Sequence, residues 1–337
     1  MSEILVSLSG LTLSYGKTVA VPDLDLDIID GELIALLGPS GCGKTTTMRA
    51  IAGLLAPTSG RITIDGRDVT RVPANKRGIG LVFQSYALFP HLSAFENVAF
   101  GLRLQRLAEA EIRSRTETGI ATVGLAGFEK RKPAELSGGQ QQRLALARSL
   151  VMKPKVLLLD EPLSNLDARL RLEMRTELQR VQNETGVTMV FVTHDQAEAL
   201  ALADRIVLMK EGRIEQLGTP NELYSKPATA FAAEFMGFEN IFRVENDALV
   251  SDAGSLPLSY DAGAPLLAWR PGGVSVGSGP HSGRVLASSF AGGHREYVLD
   301  SALGQIKADA PIETPEVPLG ESIAFDLPRS TARPLAA

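Results

Sequence analysis

Cysteine is almost missing from this 337-residue chain: Cys42 stands alone. No internal disulfide can form, and such usage fits a reducing compartment. Long apolar runs are missing too. No stretch reaches 18 consecutive apolar residues, so no helix is expected to cross a bilayer. The opening Met1-Ser2-Glu3-Ile4 lacks a basic region followed by an apolar one, so no signal peptide is expected there. Positive charge is not in excess either: 34 Lys and Arg against 39 Asp and Glu give a net charge of −5. Residues 1–237 balance at 27 basic and 27 acidic side chains, and residues 238–337, with 7 basic and 12 acidic, carry the whole imbalance. A nucleic-acid binder would show the opposite sign, and a mildly acidic tail reads as a solubilising surface. His281 and His294 are too isolated to suggest a metal site.

Hydrophobic residues make up 44% of the chain, enough for ordinary cores, and the length suggests two domains or more. Uninterrupted apolar runs at Leu33–Leu37, Val156–Leu159, Met189–Val192 and Arg205–Met209 alternate with helical patterns. Strands of that kind, buried on both faces, imply a mainly parallel sheet covered by helices. Residues 4–30 and 61–70 alternate apolar and polar instead, with a turn at Asp65-Gly66, an antiparallel signature. Two helices are well marked. Ser137 and Gln140 form a capping-box pair that opens one running to about Val151, before Pro154. The other follows Asp167 and stops at Gly186. Beyond Gly237 the chain is rich in Gly, Pro and Ser, with short alternating runs such as Arg295-Glu296-Tyr297-Val298-Leu299. That texture predicts small β-barrels of OB type.

Three motifs carry chemistry. Gly38-Pro39-Ser40-Gly41-Cys42-Gly43-Lys44-Thr45 follows a strand and opens a helix, the context a phosphate-binding loop needs. Its glycines let amide N–H groups point inward as an anion nest at a helix N-terminus. Lys44 is placed to reach β- and γ-phosphates, and Thr45 to offer a hydroxyl to Mg²⁺. Cys42 lies inside this loop, where the amides and the nearby ammonium favour a reactive thiolate that bound nucleotide would shield. Val156-Leu157-Leu158-Leu159-Asp160-Glu161-Pro162 ends a buried strand on two carboxylates, and holding Mg²⁺ is a reason for Asp160 to be there. Between these lies Leu136-Ser137-Gly138-Gly139-Gln140, a hydroxyl and amides at a second helix start.

This ordered set resembles the ATP-binding cassette (ABC) ATPases, in particular the separate ATPase subunits of bacterial solute importers. The likeness is close over about residues 1–240 and looser beyond, where Trp269-Arg270-Pro271-Gly272-Gly273-Val274 resembles the entry to a C-terminal regulatory domain. It implies an α/β P-loop cassette over 1–237, with a mainly parallel sheet flanked by helices, an antiparallel β subdomain and a helical subdomain at about 86–155. An all-β OB-like regulatory domain follows over 238–337.

The resemblance implies ATP and Mg²⁺ as cofactors. ATP would meet Tyr15, stacking on adenine, together with Gly38, Pro39, Ser40, Gly41, Cys42, Gly43, Lys44, Thr45 and Thr46. Thr45, Gln84 and Asp160 would serve the metal. Glu161 would orient or deprotonate water, with His194, Gln84 and Lys44 completing the catalytic set. Ser137, Gly138, Gly139 and Gln140 would grip the ATP of a second copy in a head-to-tail homodimer, with Asn165-Leu166-Asp167 crossing the interface.

Tyr86, Leu88, Phe89, Phe95 and Phe100 would help form a groove for a transmembrane permease, in a system with a solute-binding protein, and this subunit would sit peripherally at the cytoplasmic face of the inner membrane. Polyamine and ferric iron are the favoured solutes. A soluble ABC ATPase working on nucleic acid or ribosomes is the alternative. It is disfavoured by the single cassette, the lack of a long coiled-coil insertion and the charge. An exporter ATPase is disfavoured by the barrel-like tail and Arg270-Pro271.

Overall fold

The structure is a computed structural model and describes residues 3–336. The chain divides at Pro220 into two compact units, 1–220 and 221–337, earlier than the change in texture at Gly237.

In the first unit, β1 (Ile4–Tyr15) and β2 (Thr18–Ile29) form a long antiparallel pair. After β3 (Leu33–Leu37) come α1 (Lys44–Ala52), β4 (Ser59–Ile64) and the short β5 (Arg67–Asp68). β6 (Ile79–Val82) leads into three helices, α2 (Ala94–Leu104), α3 (Glu109–Thr122) and α4 (Gly138–Leu150). β7 (Val156–Asp160), α5 (Ala168–Thr185), β8 (Thr188–Thr193), α6 (Gln196–Leu202), β9 (Arg205–Lys210) and β10 (Arg213–Gly218) complete the unit.

Two sheets result. One is antiparallel in the order β2-β1-β4-β5; the other has six strands in the order β10-β9-β3-β8-β7-β6. The ladders from β9 through β3, β8 and β7 to β6 are all parallel, and β10 alone runs against them. Every residue of β3 and β8 is buried, as expected for strands covered on both faces. One apolar core joins β1, β2 and β4 to α1 and the central strands, with Leu8, Leu11, Ile28, Ile34, Leu36 and Val190 among its members.

The helix ends follow their local chemistry. Ser137 Oγ accepts from the Gln140 amide, and Gln140 Oε1 accepts from the Ser137 amide. Asp167 caps α5 by accepting from the Leu170 amide, and Gly186 ends it with φ 64°. A second capping box, Ser93 with Glu96, opens α2.

The second unit begins with α7 (Pro220–Ser225) and α8 (Ala230–Phe235). Strands follow as β11 (Asn240–Glu245), β12 (Ala248–Val250), β13 (Ser255–Pro257) and β14 (Leu266–Trp269). Then come β15 (Ser275–Phe290), β16 (His294–Ser301), β17 (Gly304–Pro311), β18 (Ser322–Asp326) and β19 (Arg333–Leu335). They make two antiparallel sheets, β13-β12-β11-β14-β19 and β17-β16-β15-β18, around a shared core with Trp269, Tyr297 and Phe325 at its centre. This is the OB-like β region anticipated after the cassette. Arg270 holds its entry: the guanidinium lies 3.6 Å from the ring centroid of Tyr224 and 3.9 Å from that of Phe238, and donates to the carbonyls of Tyr224 and Met236.

A buried arginine finishes α1. Arg77 is 5% exposed and donates to the carbonyls of Ala50 (2.8 Å) and Ile51 (2.9 Å) at the helix end, and to those of Val72 and Thr70. It thereby satisfies acceptors that a helix C-terminus leaves open. Arg77→Met keeps the volume and strands those carbonyls. Urea unfolding followed by circular dichroism is expected to show a loss of about 2–4 kcal/mol in the first unit; an unchanged midpoint would contradict the capping role.

Candidate nucleotide site

The parallel ladder sets where the site forms. β3, β6, β7 and β8 point the same way, so the loops after Leu37, Val82, Asp160 and Thr193 leave from one edge of the sheet. That edge is where open α/β sheets bind ligands.

The loop between β3 and α1 folds tightly. At Gly38 (φ 149°) an added Cβ would sit 2.3 Å from the Met209 carbonyl oxygen, and at Gly43 (φ 102°) 2.9 Å from a Val21 methyl. Both the left-handed backbone and the close neighbours require glycine there. Pro39, Ser40 and Gly41 are exposed at the loop's outer side, and Thr46 is partly exposed in the first turn of α1. Lys44 is 6% exposed. Its Nζ donates to the carbonyls of Gly38 (2.7 Å) and Pro39 (2.9 Å) and lies 3.7 Å from Cys42 Sγ. Tyr15, at the end of β1, is 47% exposed, which leaves ring surface open for stacking.

Thr45 and Asp160 meet. The Thr45 hydroxyl donates to Asp160 Oδ1 at 3.3 Å. Neighbouring oxygens on an octahedral Mg²⁺ are about 3 Å apart, so this hydroxyl–carboxylate pair fits the ion. Burial pushes the Asp160 carboxyl above the usual aspartate range; the Thr45 hydrogen bond and the Arg49 charge pull the other way, and Glu161 adds to the rise. A half-buried carboxylate beside a second carboxylate is a place where a cation is favoured. Among the described residues no cluster of three or more His, Cys, Asp and Glu could hold a metal by itself. Phosphate oxygens would complete this site, in the usual manner of Mg²⁺.

Glu161 takes a left-handed backbone (φ 44°), uncommon for a residue with a Cβ and a mark of functional strain. Its amide donates to the Val192 carbonyl, which fixes the turn. Two groups face its carboxylate. His194 Nδ1 lies 3.5 Å from Oε1, and Gln84 Nε2 donates to Oε2 at 3.3 Å. Gln84 Nε2 also donates to Ser164 Oγ (3.1 Å), and the Gln84 carbonyl accepts from Asn165 Nδ2 (3.0 Å). Thr45, Asp160, Glu161, Gln84 and His194 therefore come together. Ser137, Gly138, Gly139 and Gln140 do not: no hydrogen bond among the described residues joins them to that group. Ser137 and Gly138 stand exposed at the start of α4. The arrangement can bind polyphosphate, hold a divalent cation and orient a water beside Glu161.

The sequence profile of the ABC transporter family matches residues 21–164. The Fe(3+) ions import ATP-binding protein FbpC of Rhizobium etli is 52% identical over 314 residues, 89% of each chain. The spermidine/putrescine import ATP-binding protein PotA of Marinobacter nauticus is 54% identical over 242 residues, 72% of this chain and 65% of that one. The chain belongs to the ABC transporter family. A solved structure of cbiO1 from Clostridium perfringens, part of the ABC transporter complex cbiONQ, shares 34% identity at a TM-score of 0.63 and covers 66% of this chain and 92% of its own. A dimeric ATP-binding cassette in a post-hydrolysis state with ADP and Pi shares 34% identity at a TM-score of 0.57, over 64% and 99%.

This ABC ATPase holds site residues that no motif announces. Arg171, one turn into α5, donates to the Leu166 carbonyl and lies 3.6 Å from both Asp195 Oδ2 and Glu198 Oε1. Glu198 is buried and accepts from Thr193 Oγ1 at 2.6 Å. Burial raises its carboxyl above the usual glutamate range; the Thr193 hydrogen bond lowers it, Asp195 raises it, and Arg171 and His194 lower it. The segment after Glu161 and the one around His194 are thus tied together by one guanidinium. The only signal for this in the sequence was the i, i+3 spacing of Asp195 and Glu198.

The reactive Cys42 expected above is not found: the side chain is 3% exposed and packs into the central core.

Glu161→Gln keeps the hydrogen-bonding shape and removes the carboxylate expected to act as the base. ATP hydrolysis by phosphate release is expected to fall at least about 10²-fold with ATP affinity retained. Normal turnover in the variant would remove Glu161 from the catalytic set.

Proposed function

We propose that this chain is the ATP-hydrolysing subunit of an importer whose solute is ferric iron. One observation carries the choice of solute. Relatives named for Fe(3+) import align with this chain through its second unit, over 89% and, for Brucella abortus, 95% of its length. The alignment with the spermidine/putrescine relative covers 242 residues, 72% of this chain, close to the length of the cassette. The iron would pass through the permease and never touch this subunit, so the cassette motifs do not speak to it.

The reading gives each residue a task. Amides of residues 38–45 and the Lys44 ammonium hold the phosphates, and Tyr15 stacks on the base. Thr45 and Asp160, together with Gln84, would hold Mg²⁺, which when bound neutralises charge that develops on the phosphoryl oxygens. Glu161 takes the proton of the attacking water, and His194, 3.5 Å from that carboxylate, would contact the γ-phosphate. Two chains would meet head to tail, each ATP lying between the phosphate loop of one and Ser137–Gln140 of its partner. This is supported by the exposure of Ser137 and Gly138 away from the other site residues. ATP then belongs to the interface and its hydrolysis reopens it, a ligand-driven shift between two populations.

A permease would dock near the loop after Gln84, where Phe83, Phe100 and Leu104 are 40%, 39% and 71% exposed. Apolar exposure of that kind marks interaction surfaces. No helix among the described residues is long and apolar enough to cross a membrane. By analogy with its import ATP-binding relatives, the subunit would sit peripherally at the cytoplasmic face of the inner membrane, in a system with a solute-binding protein. Residues 238–337 would act as its regulatory domain, joined to a cassette of residues 1–237 with its helical part at about 86–155.

Uptake in cells lacking this gene tests the solute. Radiolabelled ferric iron uptake is expected to fall and to return with the intact gene but not with the Glu161→Gln form, while spermidine uptake stays unchanged. Loss of spermidine uptake with normal iron uptake would replace iron by polyamine.

A further inference from the structure

The loop that carries Gln84 is held at both ends by one helix. Before Gln84, the Ser149 hydroxyl donates to the Leu81 carbonyl at 3.2 Å. After it, Arg148 donates to the carbonyls of Ala87 (2.7 Å, through Nη1) and Tyr86 (2.9 Å, through Nη2). Both donors are neighbours near the C-terminal end of α4, whose first turn presents Ser137.

The bend they grip is not one the chain would adopt unaided. Tyr86 and Ala87 have φ 60° and 48°, two consecutive left-handed residues with side chains, a conformation the surroundings must enforce. Their amides close tight turns onto the carbonyls of Phe83 and Ser85, which leaves their own carbonyls for Arg148. The guanidinium also lies 5.7 Å from the centroid of Phe89. From the other side, buried Asn97 accepts from the Phe89 amide and donates to the carbonyls of Phe89, Leu92 and Ser93. The segment from Tyr86 to Ser93 is therefore fixed, and just before it the Gln84 side chain reaches Glu161 and Ser164.

We propose that Arg148, assisted by Ser149, is a positioning residue for hydrolysis: it makes the reach of Gln84 toward Glu161 follow the position of α4, the helix that begins at Ser137. A planar fork with fixed spacing can span two successive carbonyls; an ammonium is a point donor and cannot hold both in the same geometry. A shift of α4 when Ser137 engages a partner's nucleotide is thus carried to Gln84 through bonds rather than through loose packing. The inference rests on the roles given to Gln84 and Ser137 under the proposed function.

The test is a double-mutant cycle in the full-length chain with Mg²⁺-ATP. Arg148→Lys is expected to lower kcat about tenfold while KM for ATP stays within about twofold, and binding of a fluorescent ATP analogue should be unchanged. In a Gln84→Ala background the same substitution should change kcat by less than about twofold, because the two residues act through one route. Ser149→Ala removes only the hydroxyl bond to Leu81. It should lower kcat in the same Gln84-dependent way, and it carries the test if Arg148→Lys yields no folded protein. Equal falls in both backgrounds would overturn the inference and make Arg148 a support of the fold alone. An unchanged kcat in both Arg148→Lys and Ser149→Ala would overturn it as well. Full activity in Gln84→Ala itself would overturn the role of Gln84, and this inference with it.

Discussion

The parallel hydrogen-bond ladder from β3 through β8 and β7 to β6 is the constraint on which the site depends. Val156 pairs with Thr188 and with Ile79, and Leu33 with Met189, so the loops that follow these strands leave from a common edge. Lys44 and Thr45 follow β3, Gln84 follows β6, Asp160 and Glu161 end β7, and His194 follows β8. In this order Thr45 comes to 3.3 Å from Asp160 and Gln84 to 3.3 Å from Glu161. The apolar strands, which say nothing about chemistry, are what place it.

Neighbouring carboxylates then divide the work by environment. Asp160 is half-buried and bonded to a hydroxyl, and burial raises its carboxyl. Glu161, one residue on, is turned aside by its left-handed backbone and faces an amide and an imidazole. One is suited to a cation and the other to a water, and the difference comes from one backbone dihedral and from the strand end. The cost of that dihedral is offset by the bond from the Glu161 amide to Val192 in the adjacent strand.

Features whose cause lies within a few residues were readable in advance. The phosphate loop, the capping box at Ser137 and Gln140, the stop at Gly186 and the buried strands all depend on local pattern, and the structure has them where the pattern does. The arginines that organise the site were not readable. Arg77 bonds to Ala50, Arg148 to Tyr86, and Arg171 to Asp195, each far along the chain. All three donate to backbone carbonyls, which any residue presents and no sequence pattern marks. Cys42 was misread for a related reason. Its place in a loop suggested exposure, but whether a loop side chain points out or into the core is decided by φ at Gly38, Gly41 and Gly43. No cassette motif speaks to the solute, and the proposal of ferric iron rests on named relatives alone.

The central claim is that ATP is shared between the phosphate loop of one chain and Ser137–Gln140 of another. Mixing Lys44→Ala chains with Ser137→Arg chains tests it most directly, each form being inactive by itself on this account. Mixed dimers hold one intact composite site and one doubly damaged site. The account predicts that phosphate release recovers in the mixture toward about a quarter of the wild-type rate, as random pairing of two-fold dimers would give when a single site turns over. Activity no higher than the sum of the separate variants, in mixtures shown to contain mixed dimers, would contradict it.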